Sequence, residues 1–489
     1  MNVQDSLTLA AGVIFVVDLV IRIAALIVIP RNRKPSSALA WLLAIFFIPF
    51  AGIIFFLVIG SPRLPAKRQA AQSRIDAIIS AGIPTFDLAN DRANWPEWFT
   101  TLTRMNQSLG SLPVVSGNTA VLIDEYRDSI DAMTTDIESA QTFVHVQFYI
   151  VALDDTTRGF FSAMEAAVSR GVTVRVLLDH IASVRTATAK ATIEELDRIG
   201  VDWRFMLPVQ PLKGRYQRPD LRNHRKLVVV DGYVGYVGSQ NLIARSYNSP
   251  KNLKRGLQWQ ELMTRITGPV VASINIVFMS DWYSETQEVL SDHVAMTDIP
   301  LDSSSAALDC QIIPSGPGYA RENNLRLFIA LMYYAQKRII ITSPYFVPDE
   351  AMMYAITSAC QRGLDVQLFV SELGDQGPVY HAQRSYYLAL LEAGVRIWLY
   401  PAPFILHAKH FSIDDDVAVI GSSNMDIRSF ALDLEISMLV RGASFVRDMR
   451  NVEDGYRSIS RELTLADWKA QPWSSVALDG IARLTSALQ

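Results

Sequence analysis

Apolar positions along the chain fall into three regimes. Two near-continuous runs come first, Leu9 to Ile29 (21 residues) and Ala38 to Ile59 (22 residues). At ~1.5 Å per residue each can cross a hydrocarbon layer of ~30 Å as a helix, so residues 1–61 are expected to form a transmembrane hairpin. The residues ahead of the first run, MNVQDSLT, lack the basic stretch of a cleaved leader. Next, Pro62, Pro65 and Pro84 interrupt a polar stretch that reads as a linker and juxtamembrane segment over 62–110. Within it Trp95, Trp98, Phe99, Leu102 and Met105 share one side of a predicted helix. From Asn118 short apolar strands alternate with amphipathic helices. The spacing predicts helices from Tyr126 to Ala140, Phe160 to Arg170 and Ile193 to Ile199. It predicts strands from Phe143 to Val151, from Val172 to Leu178 and at Val201, with helix stops at Gly171 and Gly200. That alternation argues an α/β sheet covered on both sides.

The rhythm occurs twice. Ala140-Gln141 recurs as Ala335-Gln336 at an offset of 195, Arg170-Gly171 as Arg362-Gly363 at 192, and Gly200-Val201 as Gly394-Val395 at 194. Two tandem domains, 111–300 and 301–489, are therefore expected. Further on the offset drops from 194 to 183, which leaves 194 − 183 = 11 extra residues in the first half. They fit between Gln210 and Asn223, where Lys213, Arg215, Arg218 and Arg222 form either a solvated charged loop or an attractor for anionic head groups.

At the 183 offset two polar sets match residue for residue: His224, Lys226, Asp231, Gly238, Ser239 and Asn241 with His407, Lys409, Asp414, Gly421, Ser422 and Asn424. Positions i and i+2 of a strand face one way, so each His is expected to project from a strand together with its Lys. Gly-Ser-x-Asn reads as the turn where a second strand delivers a hydroxyl and an amide. An imidazole, a fixed cation and two neutral donors suit a phosphate ester. The His serves as nucleophile or proton carrier, while Lys226, Lys409, Ser239, Asn241, Ser422 and Asn424 face the phosphoryl oxygens. Asp231 and Asp414 are counted with the catalytic set and read as local hydrogen-bonding supports. Neither half alone supplies both nucleophile and acid, so the two sets are expected to share one site.

Composition narrows the substrate. The 489 residues carry a net charge of −4 with a pI near 6.0, so no basic footprint invites nucleic acid. Cys310 and Cys360 stand in no metal or redox spacing. Asp18 and Arg22, four apart in the first apolar run, can neutralise one another on one helical face. Arg31, Arg33 and Lys34 between the runs, against Arg63, Lys67, Arg68 and Arg74 after them, tilt the catalytic part towards the cytoplasm.

With both HxKxxxxD motifs complete, the sequence resembles the phospholipase D superfamily, whose two such motifs meet in one active site. Five further stretches make it similar to the bacterial cardiolipin synthases of that type. They are RNRKPSSALAWLL, IPFAGIIFFLVIG, ITSPYFVPDE from Ile341, DQGPVYHAQRSYY from Asp375 and SSNMDIRSF from Ser422. The resemblance implies an α/β fold of two tandem phospholipase D-like α/β/α sandwich domains related by a pseudo-twofold, preceded by the transmembrane helical hairpin. It implies transfer of a phosphatidyl group between two phosphatidylglycerol molecules, giving cardiolipin and glycerol, with His224 the nucleophile and His407 the proton carrier. An acid downstream of each motif would fix an imidazole's tautomer, and Glu261 and Glu435 are the matching positions. No cofactor and no metal are implied. The partners would be phosphatidylglycerol and cardiolipin in a bacterial inner membrane spanned more than once; no nucleic acid is expected, and a homodimer is left open. Phospholipase D hydrolysis and phosphatidylserine synthesis are the alternatives. A non-enzymatic membrane scaffold is disfavoured by the intact His, Lys, Ser and Asn of both halves.

Overall fold

The structure, a computed structural model, describes residues 3–31, 35–60, 68, 70, 74, 95–110, 112–290, 307–319 and 322–484. Pro62, Pro65 and Pro84, the cations Arg33, Lys34, Arg63 and Lys67, and the expected domain boundary near 300 lie outside the described residues. Two compact units are present: Met1–Leu64 with Arg218–Asp220, and a body of Pro65–Gln217 with Leu221–Gln489.

In the first unit, helix α1 (Val3–Val28) contains Leu9–Val28, of mean hydropathy 2.6, long and apolar enough to cross a membrane. The second apolar run departs from the single span expected. It forms α2 (Pro35–Phe47, 13 residues) and α3 (Pro49–Ile59, 11 residues). Pro49 explains the break, because its ring forbids the helical bond and pushes Ile48 out of helical conformation, to φ −136° and ψ 71°. Each piece is shorter than the ~20 residues a membrane-crossing helix needs. Ala25, Ile29, Ala38 and Ile45 pack together within this unit, and Arg22 pairs with Asp18 at 2.8 Å as expected.

The body realises the repeated rhythm. Its first half holds β1 (Val114–Ile123), β2 (Phe143–Phe148), β3 (Thr173–Asp179), β4 (Asp202–Met206), β5 (Arg222–Asn223), β6 (Leu227–Val230), β7 (Val234–Gly238), β8 (Gln258–Gln260) and β9 (Met263–Thr267). The second holds β10 (Leu308–Ser315), β11 (Arg338–Thr342), β12 (Asp365–Ser371), β13 (Arg396–Tyr400), β14 (Phe404–Leu406), β15 (His410–Ile413), β16 (Val417–Gly421), β17 (Asp433–Arg441) and β18 (Arg461–Leu463). One 16-stranded sheet runs β18-β13-β12-β11-β15-β16-β17-β10-β1-β9-β7-β6-β2-β3-β4, with β5 joined to β17. At its centre β1 pairs antiparallel with β10. Outward from that pair the order β9-β7-β6-β2-β3-β4 is matched by β17-β16-β15-β11-β12-β13, which is the pseudo-twofold.

Strands β2-β3-β4 and β11-β12-β13 are parallel, so each half covers them with helices on both faces, and every residue of β2 is buried. Gly200 ends its helix in the left-handed region at φ +77°, as expected of a glycine stop. The aromatic stripe is core: Phe99 and Leu102 enter the second half's apolar cluster, and Trp95 donates to Asp309 at 2.8 Å. Of the four cations in the insertion, Lys213 and Arg215 are exposed on a small hairpin, whereas Arg222 is buried against Asp179 at 3.1 Å.

Candidate active site

Two short parallel pairings interlock the halves. Strand β5 lies along β17, with Arg222 opposite Asp433 and Asn223 opposite Leu434; β8 lies along β14, with Trp259 opposite Ile405 and Gln260 opposite Leu406. The next backbone amides continue the pattern, His224 donating to Leu434 O at 2.9 Å and His407 to Gln260 O at 2.7 Å. Periodicity puts His224 with Lys226 and His407 with Lys409 on strands, but residues 224–226 and 407–409 lie outside them. They occupy the handover where the chain leaves a partner in the other half and joins its own sheet at β6 or β15. The relation between i and i+2 survives: Lys226 Nζ donates to His224 O and Lys409 Nζ to His407 O, both at 2.6 Å.

The handover decides which acid meets which imidazole. His224 Nδ1 lies 2.9 and 3.1 Å from the Glu435 oxygens, and His407 Nδ1 lies 2.8 and 3.0 Å from those of Glu261. Each imidazole is held by the acid that follows the other motif. A carboxylate only accepts, so Nδ1 carries the proton and Nε2 keeps its lone pair. All four side chains are buried.

The serines act differently from expectation. Ser239 Oγ donates to Glu261 at 2.6 Å and Ser422 Oγ to Glu435 at 2.5 Å, so each hydroxyl's single proton is given to an acid and not to a phosphoryl oxygen. The preceding glycines permit this approach: a Cβ on Gly238 or Gly421 would lie 2.4 Å from Leu262 O or 2.2 Å from Ile436 O. Asn241 accepts from the Ile150 amide at 3.2 Å and donates to the Tyr247 hydroxyl at 2.8 Å. Asn424 buries its Oδ1 without a partner among the described residues.

Asp231 and Asp414 sit at the far ends of β6 and β15 from the histidines. There Asp231 accepts the amides of Gln141, Thr142 and Phe143, and Asp414 those of Gln336, Lys337 and Arg338. Their place is that of the local supports, fastening the starts of β2 and β11, and not of groups facing a reacting phosphate. Pattern reading missed three aromatic residues of the site. Tyr149 stands edge-on to His224 with ring centroids 5.0 Å apart, and Tyr247 and Tyr345 each stand edge-on to His407 at 6.3 Å. Tyr149 and Tyr345 lie just after β2 and β11, the first parallel strand of each half, and that position was the available signal for those two.

A family profile described as cardiolipin synthase, phospholipase D-like domain matches residues 133–282 and 328–454, and a phospholipase D–nuclease amino-terminal profile matches 20–61. The chain belongs to the cardiolipin synthase family of phospholipase D-like enzymes. It is 31% identical over 455 residues to cardiolipin synthase A of Pectobacterium carotovorum, covering 91% of each chain. To cardiolipin synthase A of Klebsiella pneumoniae it is 32% identical over 463 residues, covering 92% of each. Among solved structures its fold is that of a phosphatidylserine synthase from Haemophilus influenzae, at a TM-score of 0.60 and 14% identity, covering 79% of this chain and 99% of that one.

Within this family frame the electrostatics divide the histidines. Burial, then the Lys226 and Lys409 charges, hold His224 well below its ordinary value. Burial also lowers His407, with Glu261 opposing. Burial lifts Glu435 to about 7, whereas Glu261, equally buried, is held below the usual carboxylate range by His407, Lys409 and Ser239. Lys409 is brought down to about 8 by burial against the pull of Glu261 and Glu435. The charges of Lys409 and His407 reach His224, so both sets share one electrostatic site.

Proposed function

We propose that this chain is a membrane-bound phosphatidyltransferase that condenses two phosphatidylglycerol molecules into cardiolipin and glycerol. His224 Nε2 attacks the phosphorus of the first lipid; the phosphorus–oxygen bond to glycerol breaks, and His407, entering this step as an imidazolium protonated on both nitrogens, gives that oxygen its Nε2 proton. The free hydroxyl of a second phosphatidylglycerol then attacks the phosphatidyl-histidine, passing its proton to His407 and freeing His224. Lys226 and Lys409 stabilise charge on the phosphoryl oxygens. Glu435 and Glu261 keep the two imidazoles in the tautomer that presents Nε2. The crossed pairs His224–Glu435 and His407–Glu261 carry this reading, because they give one site two oriented imidazoles with buried lysines beside them. Anchoring in a bacterial inner membrane, with the body on the cytoplasmic side, completes the proposal.

Product analysis tests it. The full-length protein in phosphatidylglycerol vesicles should form cardiolipin and one glycerol per cardiolipin. Phosphatidic acid as the main product would instead mean hydrolysis, and phosphatidylserine on addition of an activated phosphatidyl donor and serine would mean a serine acceptor.

A further inference from the structure

The halves agree where they hold the imidazoles and differ beside them. In the first half Asp179, at the end of β3, accepts from the Asn223 amide at 2.9 Å and from Arg222 at 3.1 Å. The matching residue is Ser371, at the end of β12; its hydroxyl accepts from the Leu406 amide at 2.8 Å, and Ile405 stands where Arg222 does. A small neutral residue replaces an ion pair, and beside it lies a niche, partly open to solvent and with room inside for about one water or hydroxyl, whose lining includes Ser371, Asp375, Gln376, Tyr345, Tyr380 and Ile405. It adjoins the second histidine, for Ile405 is two residues before His407 and Tyr345 is the aromatic ring edge-on to it. The Asp375 charge also reaches Lys409.

The polar groups of this pocket define what it can take. Tyr345 donates its hydroxyl to Asp375 at 2.8 Å, and Gln376 Nε2 donates to Tyr345 at 3.0 Å. That leaves Asp375 Oδ1, half-buried, and the side-chain Oε1 of Gln376, exposed at the mouth, as acceptors without a donor among the described residues. A carboxylate only accepts, so its ligand must donate, and it repels a phosphodiester. An ammonium head would meet Lys409 and, at the rim, Arg255, whose guanidinium donates to Gly374 O at 3.0 Å. A neutral polyol meets neither objection.

We propose that this pocket is a polyol subsite in which Asp375 and Gln376 accept the hydroxyls of a glycerol head group and hold it beside His407. The assignment rests on the phosphatidyl-transfer reading above. Glycerol leaves from this pocket after His407 protonates it, and the acceptor's hydroxyl enters by the same route in reverse. Asp375 and Gln376 then set acceptor choice.

Partition of one phosphatidyl-enzyme between competing alcohols tests this. The full-length protein is given phosphatidylglycerol with equimolar isotopically labelled glycerol and 1-propanol, and the ratio of labelled phosphatidylglycerol to phosphatidylpropanol is read by mass spectrometry. Wild type should favour glycerol; Asp375→Asn should lower the ratio about tenfold, equivalent to ~1.4 kcal/mol, the scale of one hydrogen bond to a charged group, and Asp375→Glu should restore part of it. Poor folding lowers both products together and leaves the ratio alone. An unchanged ratio in Asp375→Asn overturns the subsite. A wild-type preference for ethanolamine over glycerol that Asp375→Asn abolishes also overturns it, in favour of an ammonium site. If wild type transfers to no alcohol at all, the phosphatidyl-transfer reading fails and the subsite with it.

Discussion

The two half-sites share a backbone plan and differ in charge. Around His407, the supporting acid Glu261 receives donors from Ser239, His407 and the Tyr247 hydroxyl, the last at 3.0 Å. Around His224, Phe430 stands at the position matching Tyr247, and Glu435 is bonded instead by the hydroxyls of Ser422 and Ser429. Buried acids crowd it instead: Asp433 and Asp426 occupy the positions of Trp259 and Ile243, and both feel the Glu435 charge. Burial lifts Glu435, and at Glu261 the His407 and Lys409 charges outweigh the same effect. Glu435 rises to about 7 beside an imidazole that stays neutral, while Glu261 remains ionised beside one it can help to protonate. Near-identical geometry thus gives the two imidazoles different charged surroundings, which is what the proposed nucleophile and proton carrier require.

Three measurements break or sharpen that contrast. The largest effect should come from the histidines. His224→Ala should lose at least ~10⁴-fold in turnover and accumulate no phosphatidyl-enzyme, whereas His407→Ala should still trap adduct from a substrate whose leaving group needs no proton. Peptide mass spectrometry decides it, and an adduct on His407 and never on His224 would reverse the roles.

The glutamates come next. Glu261→Gln should cost roughly 10²-fold, because it removes an ionised partner, and Glu435→Gln roughly tenfold. The crossing makes the signature unusual: Glu261→Gln should resemble a His407 defect and accumulate adduct, and Glu435→Gln should resemble a His224 defect and form it slowly. Rapid-quench adduct kinetics with the reverse pattern would return each acid to its own half.

The smallest effect is in the pH profile. Lys409 keeps its charge below about pH 8 and loses it above, so kcat/KM should fall on an alkaline limb near that value instead of near the ordinary 10.5 of a lysine. Lys409→Arg should be slower throughout yet push the limb upward. A limb that stays in place in that variant belongs to another group.

How far these features can be read from the sequence depends on whether they are local or global. The six matched positions, the α/β rhythm and the place of the insertion are legible, since each rests on spacing along the sequence, and Glu261 and Glu435 are legible through the family resemblance. The crossing of the acids is not, because an acid that follows each motif, 37 residues after His224 and 28 after His407, fits a pairing within a half as well as one between halves. It is the pairing of β5 with β17 and of β8 with β14 that chooses. The serines misled for a related reason: a hydroxyl near a phosphate-binding motif reads as a phosphate donor until the acid it serves arrives from a neighbouring strand. In the second apolar run composition predicted one span, yet a single residue, Pro49, makes it two helices.

The crossed strands also set when the protein becomes reactive. His224 precedes its carboxylate by 211 residues, and the backbone acceptor of its own amide, Leu434, lies immediately before that carboxylate. A nascent chain that has completed its first half holds a histidine and a lysine without the carboxylate and the backbone acceptor that orient the imidazole. A truncated or stalled product is therefore expected to leave the phosphodiesters around it intact. The fold arms the site only when its last long strand has closed against its partner.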